Sequence, residues 1–144
     1  GQTAWTPAIS LILALKESLS LLLEEGMQYV EKRHKAVSEG TLRAVEALGL
    51  ERFAQKPSIS VSAVKSERSE DIRRELLKMG IRVAGGQEEL KGRIFRISHM
   101  GVDPKDGLML VGALEVVLKR LGFPVELGLG TKAYSQTLMQ AGIW

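Results

Sequence analysis

Arg96 lies in the run Lys91-Gly92-Arg93-Ile94-Phe95-Arg96-Ile97-Ser98-His99-Met100-Gly101. Ile94, Phe95 and Ile97 make this an apolar strand, and a cation inside one is costly to bury unless an anion meets it. The planar guanidinium suits a carboxylate held by two hydrogen bonds. The competing reading is an arginine paired with a local acid. His34 and His99 are the only histidines, and neither has a metal-ligand partner at a recognisable spacing, so no metal site is expected. His99 follows the Arg96 strand, where packing or support of a site suits it better than acid–base work. Ser62-Ala63-Val64-Lys65 matches S-x-x-K, but it ends a strand where that nucleophile motif needs a helix start. Gly128-Leu129-Gly130-Thr131-Lys132-Ala133 matches G-x-G-x-x-A, yet the eleven residues after it cannot complete a dinucleotide-binding βαβ unit. These glycines read as a turn into a last helix. Glu24-Glu25 and Glu88-Glu89 read as exposed ends and loops, not as a buried catalytic pair.

The elements that must position Arg96 follow from periodicity. Pro7 suits a first helical turn with Thr6 as N-cap, and Ile9, Ile12, Leu13, Leu15, Leu19, Leu22 and Leu23 continue a helix. Gly26 breaks it. A second helical pattern through Val30, Val37, Leu42, Val45 and Leu48 stops at Gly49. Residues 58–64 alternate polar and apolar as a half-buried strand. Ser69 caps a helix over 70–79 that Gly80 stops. Residues 81–83 and 92–97 read as two further strands. Asp103-Pro104 opens a helix closed by Gly122, and a short helix over 131–140 ends the pattern. The expected fold is α+β: a small, mainly antiparallel sheet of three to four strands with helices on one face.

The bulk composition excludes several classes. The 144 residues suffice for one core, with 44% apolar and 26% charged residues and a net charge of +3. Basic and acidic residues are interleaved and aromatics are few, which argues against a nucleic-acid partner. With no cysteine, disulfides, thiolate metal sites and cysteine nucleophiles are excluded, and a reducing, cytoplasmic setting is expected. The leucine-rich stretch over 9–23 is interrupted by Lys16-Glu17-Ser18 and is too short to cross a bilayer, so no membrane partner is expected. It needs a covering partner, another domain or another subunit.

Three segments carry a family resemblance. They are Thr3-Ala4-Trp5-Thr6-Pro7-Ala8-Ile9-Ser10 with the helix after it, Gly80-Ile81-Arg82-Val83-Ala84-Gly85-Gly86, and Gly92-Arg93-Ile94-Phe95-Arg96-Ile97-Ser98-His99-Met100-Gly101. In this order and spacing the chain resembles the C-terminal domain of class V aminotransferases dependent on pyridoxal 5'-phosphate. That group holds the alanine–glyoxylate, serine–pyruvate and serine–glyoxylate enzymes and proteins labelled soluble hydrogenase small subunit. The resemblance implies that Arg96 binds the substrate carboxylate and that Gly86 belongs to the loop lining the substrate entrance. It implies that Gln2, Thr3 and Thr6 reach the cofactor phosphate of a partner subunit, where hydroxyls and amides near a helix start make good donors. For Thr6 a plain N-cap competes, and for Gly85-Gly86 an ordinary turn.

The resemblance further implies transfer of an amino group between a small amino acid (alanine, serine) and a 2-oxo acid (glyoxylate, pyruvate), in a homodimer. Residues 1–26 would end the large-domain or interface segment, and 27–144 would form the small domain. The family's Schiff-base lysine, pyridine-nitrogen aspartate and ring-stacking residue match nothing in this chain. The expectation is therefore a piece of a longer enzyme, inactive alone. A cysteine desulfurase of the same fold is disfavoured by the missing cysteine. A standalone α+β anion-binding or regulatory module is the rival of another class.

Overall fold

The computed structural model describes residues 3–144, so Gln2 lies outside the described residues. Ten elements follow one another: α1 (Ile9–Glu25), α2 (Met27–Ala47), β1 (Glu51–Arg52), β2 (Val61–Lys65), α3 (Ser69–Lys78), β3 (Ala84–Gly85), a 3₁₀ turn (Glu88–Leu90), β4 (Ile94–Ser98), α4 (Pro104–Arg120) and α5 (Leu129–Gln140). The chain divides into two compact units, 1–32 and 33–144.

The first unit is α1 and the opening turns of α2, separated by Gly26 at φ +86°. No residue of α1 is buried, and Ile9, Leu11, Ile12, Leu13, Leu15, Leu19, Leu21 and Leu23 are all at least half exposed. The start differs from the sequence expectation. Ala8, not Thr6, is the N-cap, no side chain caps the helix, and Pro7 lies outside it with its carbonyl accepting from Ile9 N at 2.9 Å.

The second unit is α+β, as expected. Its sheet runs β1-β2-β4-β3 with every pair antiparallel. The period-2 alternation of strands divides the residues between two faces. Ser62, Val64, Phe95 and Ile97 are buried on one face, and Val64, Phe95 and Ile97 share a core with Val45 of α2 and Leu48 just after it, Ile72 and Leu76 of α3, and Leu114, Val117 and Leu118 of α4. Helices therefore cover this face. A second cluster joins Ala36 and Ala44, Val111, Tyr134 and Leu138, where α5 packs on α2 and α4.

Local chemistry sets the boundaries. Residues 58–60 do not join β2, because Ser58 and Ser60 close a turn in which Ser60 N donates to Ser58 Oγ at 3.2 Å. The expected strand over 81–83 is displaced to Ala84–Gly85. Its backbone is held by α3 instead, through Ile81 N to the Leu76 carbonyl and Arg73 Nε to the Val83 carbonyl. Ser69 does not cap α3. Arg68 occupies that position, and the Ser69 hydroxyl is buried without a hydrogen-bond partner. Asp103 caps α4 as expected, in a reciprocal box with Asp106 and with Pro104 in the first turn.

Candidate functional site

Arg96 sits in the middle of β4, and the register places it between Ala63 of β2 and Ala84 of β3. Directly paired residues share a face, so the guanidinium rises from the sheet face opposite the core, flanked by two methyl groups. Its Nε donates to the Gly85 carbonyl at 2.9 Å, the one hydrogen bond Arg96 makes among the described residues. No carboxylate there pairs with it. The local-acid reading of Arg96 therefore finds no partner among the described residues. One bond at Nε fixes the plane of the fork and leaves the Nη1/Nη2 end free for two parallel bonds to a planar anion.

A cavity of about 590 Å³ opens over this face. Arg73, Arg82 and Arg96 line it with Ser60 and Ser98, and no acid does. Arg73 is committed elsewhere: its Nη1 pairs with Glu70 at 2.7 Å and its Nε with the Val83 carbonyl. The charged side chains lining the hollow are all cationic.

The two glycines stand differently to this cavity: Gly85 abuts Arg73, which lines it, and Gly86 abuts the 3₁₀ turn. A Cβ on Gly86 would stand 2.0 Å from the Leu90 carbonyl oxygen, and one on Gly85 would stand 2.7 Å from Arg73 Nη1. Gly86 thus lets the 3₁₀ turn close over Ile94, and it is not among the residues lining the cavity. Thr3 and Thr6 belong to the first unit, and both are exposed. Thr3 Oγ1 donates to the Trp5 carbonyl at 2.8 Å. Arg96 belongs to the second unit.

His99 is one residue past β4, on the core side of the sheet. It is 1% exposed, and its Nε2 meets Ser62 Oγ at 2.8 Å. Burial pulls its pKa down to about 4, with a further push from the nearby His34. The ring is a neutral core group away from the cavity. Ser62 and Lys65 point to opposite faces, and Lys65 pairs with Glu51, so S-x-x-K makes no nucleophile here. The G-x-G-x-x-A stretch is the expected turn into α5, with Gly128 at φ +97° as N-cap. Its anion is the protein's own: the buried Glu115 carboxylate accepts from Gly128 N at 2.9 Å and Thr131 N at 2.8 Å. Sequence reasoning missed Glu115, because an acid on an inward helix position carries no signal until the helix start opposite it is known.

The likeness to known proteins is extensive. No protein-family model matches the chain. An uncharacterised aminotransferase of Methanocaldococcus jannaschii is 41% identical over 132 residues, which is 87% of this chain and 34% of that protein. The serine–glyoxylate aminotransferase of Arabidopsis thaliana is 34% identical over 93% of this chain and 35% of its own length. The crystal structure of pyridoxamine–pyruvate aminotransferase from Mesorhizobium loti superposes with a TM-score of 0.90 at 26% identity, over 97% of this chain and 38% of that one.

The chain belongs to the class V aminotransferases.

It has the fold of their C-terminal domain. The aminotransferase domain spans about a third of the length of the relatives it matches. Among the described residues, no cluster of His, Cys, Asp and Glu could hold a metal ion, and no helix is long and apolar enough to cross a membrane.

Proposed function

We propose that this chain supplies the substrate-carboxylate arginine of a pyridoxal-phosphate-dependent transaminase that exchanges an amino group between a small amino acid, such as alanine or serine, and a 2-oxo acid, such as glyoxylate or pyruvate. The observation that carries the reading is the state of Arg96. Its guanidinium is oriented at Nε by Gly85, met by no acid among the described residues, and exposed to an electropositive cavity between Ala63 and Ala84.

Arg96 has two tasks in this reading. It neutralises the carboxylate common to donor and acceptor, and it fixes the rotation of the molecule about its carboxyl carbon. Ala63 and Ala84 keep the approach open, since any larger side chain in register would cover the fork. The cofactor supplies the electron sink when bound. The fit of this chain to its phosphate rests on the start of α1. That helix has no side-chain cap, so the Ser10 and Leu11 amides remain donors while Ile9 N is taken by the Pro7 carbonyl, and Thr6 is exposed and free of capping. Thr6 and those amides suit a phosphate, while the Thr3 hydroxyl already donates to the Trp5 carbonyl. In this assignment residues 1–26 end the parent's large-domain or interface segment, 27–144 form its small domain, and the parent is a homodimer.

The test is made in the parent enzyme. Arg96→Ala raises KM for amino acid and oxo acid alike while the cofactor stays bound, and it costs on the order of 2–5 kcal/mol in kcat/KM. Arg96→Lys restores only part, because an ammonium cannot form the fork. Unchanged kinetics in the alanine variant remove Arg96 from the site. The 144-residue chain alone, mixed with pyridoxal phosphate, alanine and glyoxylate, is expected to form no pyruvate. Sustained turnover would place the cofactor-carrying lysine within these residues and defeat that part of the reading.

A further inference from the structure

Gly85 is where two arginines meet. Its carbonyl accepts from Arg96 Nε at 2.9 Å. The ladder leaves that carbonyl open: Gly86 N donates to the Ile94 carbonyl, so Gly85 and Phe95 form a pair that exchanges no backbone hydrogen bonds. The Gly85 carbonyl therefore turns to the outer edge of the sheet. β3 has only two residues, and β4 pairs with it from one side alone. Arg73 of α3 holds it from the other. Arg73 Nε donates to the Val83 carbonyl at 3.2 Å, and its guanidinium lies across Gly85, where a Cβ would stand 2.7 Å from Nη1, 3.0 Å from Cζ and 3.3 Å from Nε. Glu70 fixes Arg73 in turn, with Nη1 donating to both carboxylate oxygens at 2.9 and 2.7 Å. The helix that carries both is anchored by Ile72 and Leu76, which are fully buried in the core. Contacts thus run without a break from α3 through Glu70, Arg73 and Gly85 to the Arg96 fork.

We propose that Arg73 is the positioning residue for Arg96. Clamped by Glu70, it holds the Gly85 carbonyl at the place where that carbonyl sets the plane of the substrate-binding guanidinium. This rests on Arg96 holding the substrate carboxylate. A two-residue edge strand has little pairing of its own to resist movement. A shift of the carbonyl would swing a fork that has to meet a planar anion with two bonds. Glu70 also neutralises Arg73, so Arg73 supports Arg96 without competing for its anion. Gly85 is glycine for a reason of space: its φ is not positive, and Arg73 takes the volume of a side chain.

The first experiment follows the Arg96 Nε–Hε signal of the 144-residue chain by NMR and needs no catalysis. Arg73→Ala is expected to speed exchange of that proton with water roughly fivefold, as its hydrogen bond to Gly85 loosens. The amides of β2 and β4 are expected to keep their protection. Gly85→Ala, whose methyl displaces the Arg73 guanidinium, is expected to do the same, and to add nothing further in an Arg73→Ala background. Unaltered exchange at Arg96 in Arg73→Ala overturns the proposal. So does an equal loss of protection at the β4 amides, which would make Arg73 a support of the sheet and nothing more. The second experiment is a mutant cycle in the parent enzyme. Arg73→Ala is expected to raise KM for amino acid and oxo acid roughly tenfold with the cofactor still bound. In an Arg96→Ala background it is expected to cost nothing more, because it acts only through Arg96. Arg73→Lys keeps a charge for Glu70 but cannot bond Val83 and lie across Gly85 together, so it is expected to recover little. Additive losses overturn the proposal. Unchanged kinetics in Arg96→Ala itself would defeat the carboxylate reading, and the exchange of the Arg96 proton would still decide whether Arg73 sets that guanidinium.

Discussion

His99 shows how burial governs a single ionisable group. With its pKa near 4 in the folded chain and 6.5 as the ordinary value, it is neutral in the fold at every pH above about 4. At neutral pH both folded and unfolded chains carry it uncharged, so it contributes no pH dependence. As pH falls below 6.5 the unfolded chain takes up a proton that the folded chain refuses, and stability is lost progressively down to about pH 4. The loss reaches about 2 kcal/mol by pH 5, before most carboxylates titrate. Urea denaturation at pH 7 and pH 5 checks this. His99→Gln, which keeps a polar partner for Ser62, is expected to flatten the difference between the two, and an equal drop in both proteins would acquit His99. Arg96 makes the complementary point. Its strand position was legible in the sequence, but the missing acid partner and the Nε tether to Gly85 were not, since both come from chain folded in from elsewhere.

Among the elements, α5 is held by contacts that its own sequence barely advertises. Tyr134 is fully buried, and its hydroxyl donates to the Pro104 carbonyl at 2.9 Å. Burial, with Asp103 and Asp106 nearby, pushes that phenol well above the ordinary tyrosine range, so it stays a donor. The ring fits only because two helices lack side chains beneath it. A Cβ on Gly107 of α4 would lie 2.1 Å from Tyr134 Oη, and one on Gly40 of α2 would lie 3.1 Å from Tyr134 Cδ2. Gly107→Ala is expected to destabilise the chain by about 1–3 kcal/mol despite alanine's better helix propensity. Tyr134→Phe removes the atom that clashes first. The double variant is therefore expected to lose less than the sum of the two single losses, which thermal or denaturant unfolding of the four proteins measures. Strict additivity would mean that α5 does not press on Gly107.

At the scale of the molecule, α1 is the unsatisfied part. Its apolar side chains are exposed on every side, more surface than a stable monomer leaves to water. The chain is expected to associate through residues 8–23. Sedimentation of the 144-residue chain is expected to show a dimer or larger species, and Leu15→Lys with Leu22→Lys is expected to shift it toward monomer. A monodisperse monomer at high concentration in the unaltered chain would count against association by this helix.

What the sequence determined by itself was whatever depends on near neighbours along the chain. Helix stops at Gly26, Gly49, Gly80 and Gly122 follow from positive φ, and the Asp103–Asp106 box follows from a spacing of three residues. The alternation in β2 and β4 fixed the α+β class and put Arg96 on a strand. The tertiary structure decided everything that needed a second segment. The run at 81–83 went to α3 rather than to the sheet because Arg73 and the Leu76 carbonyl reach its backbone first. Ser69 lost its capping role because it was drawn into the core. The start of α5 took its anion from Glu115, thirteen residues before Gly128. Arg82 and Arg96 became members of one cavity only when β3 paired with β4, because a strand's own residues fix which face a side chain takes but not which neighbour lies beside it.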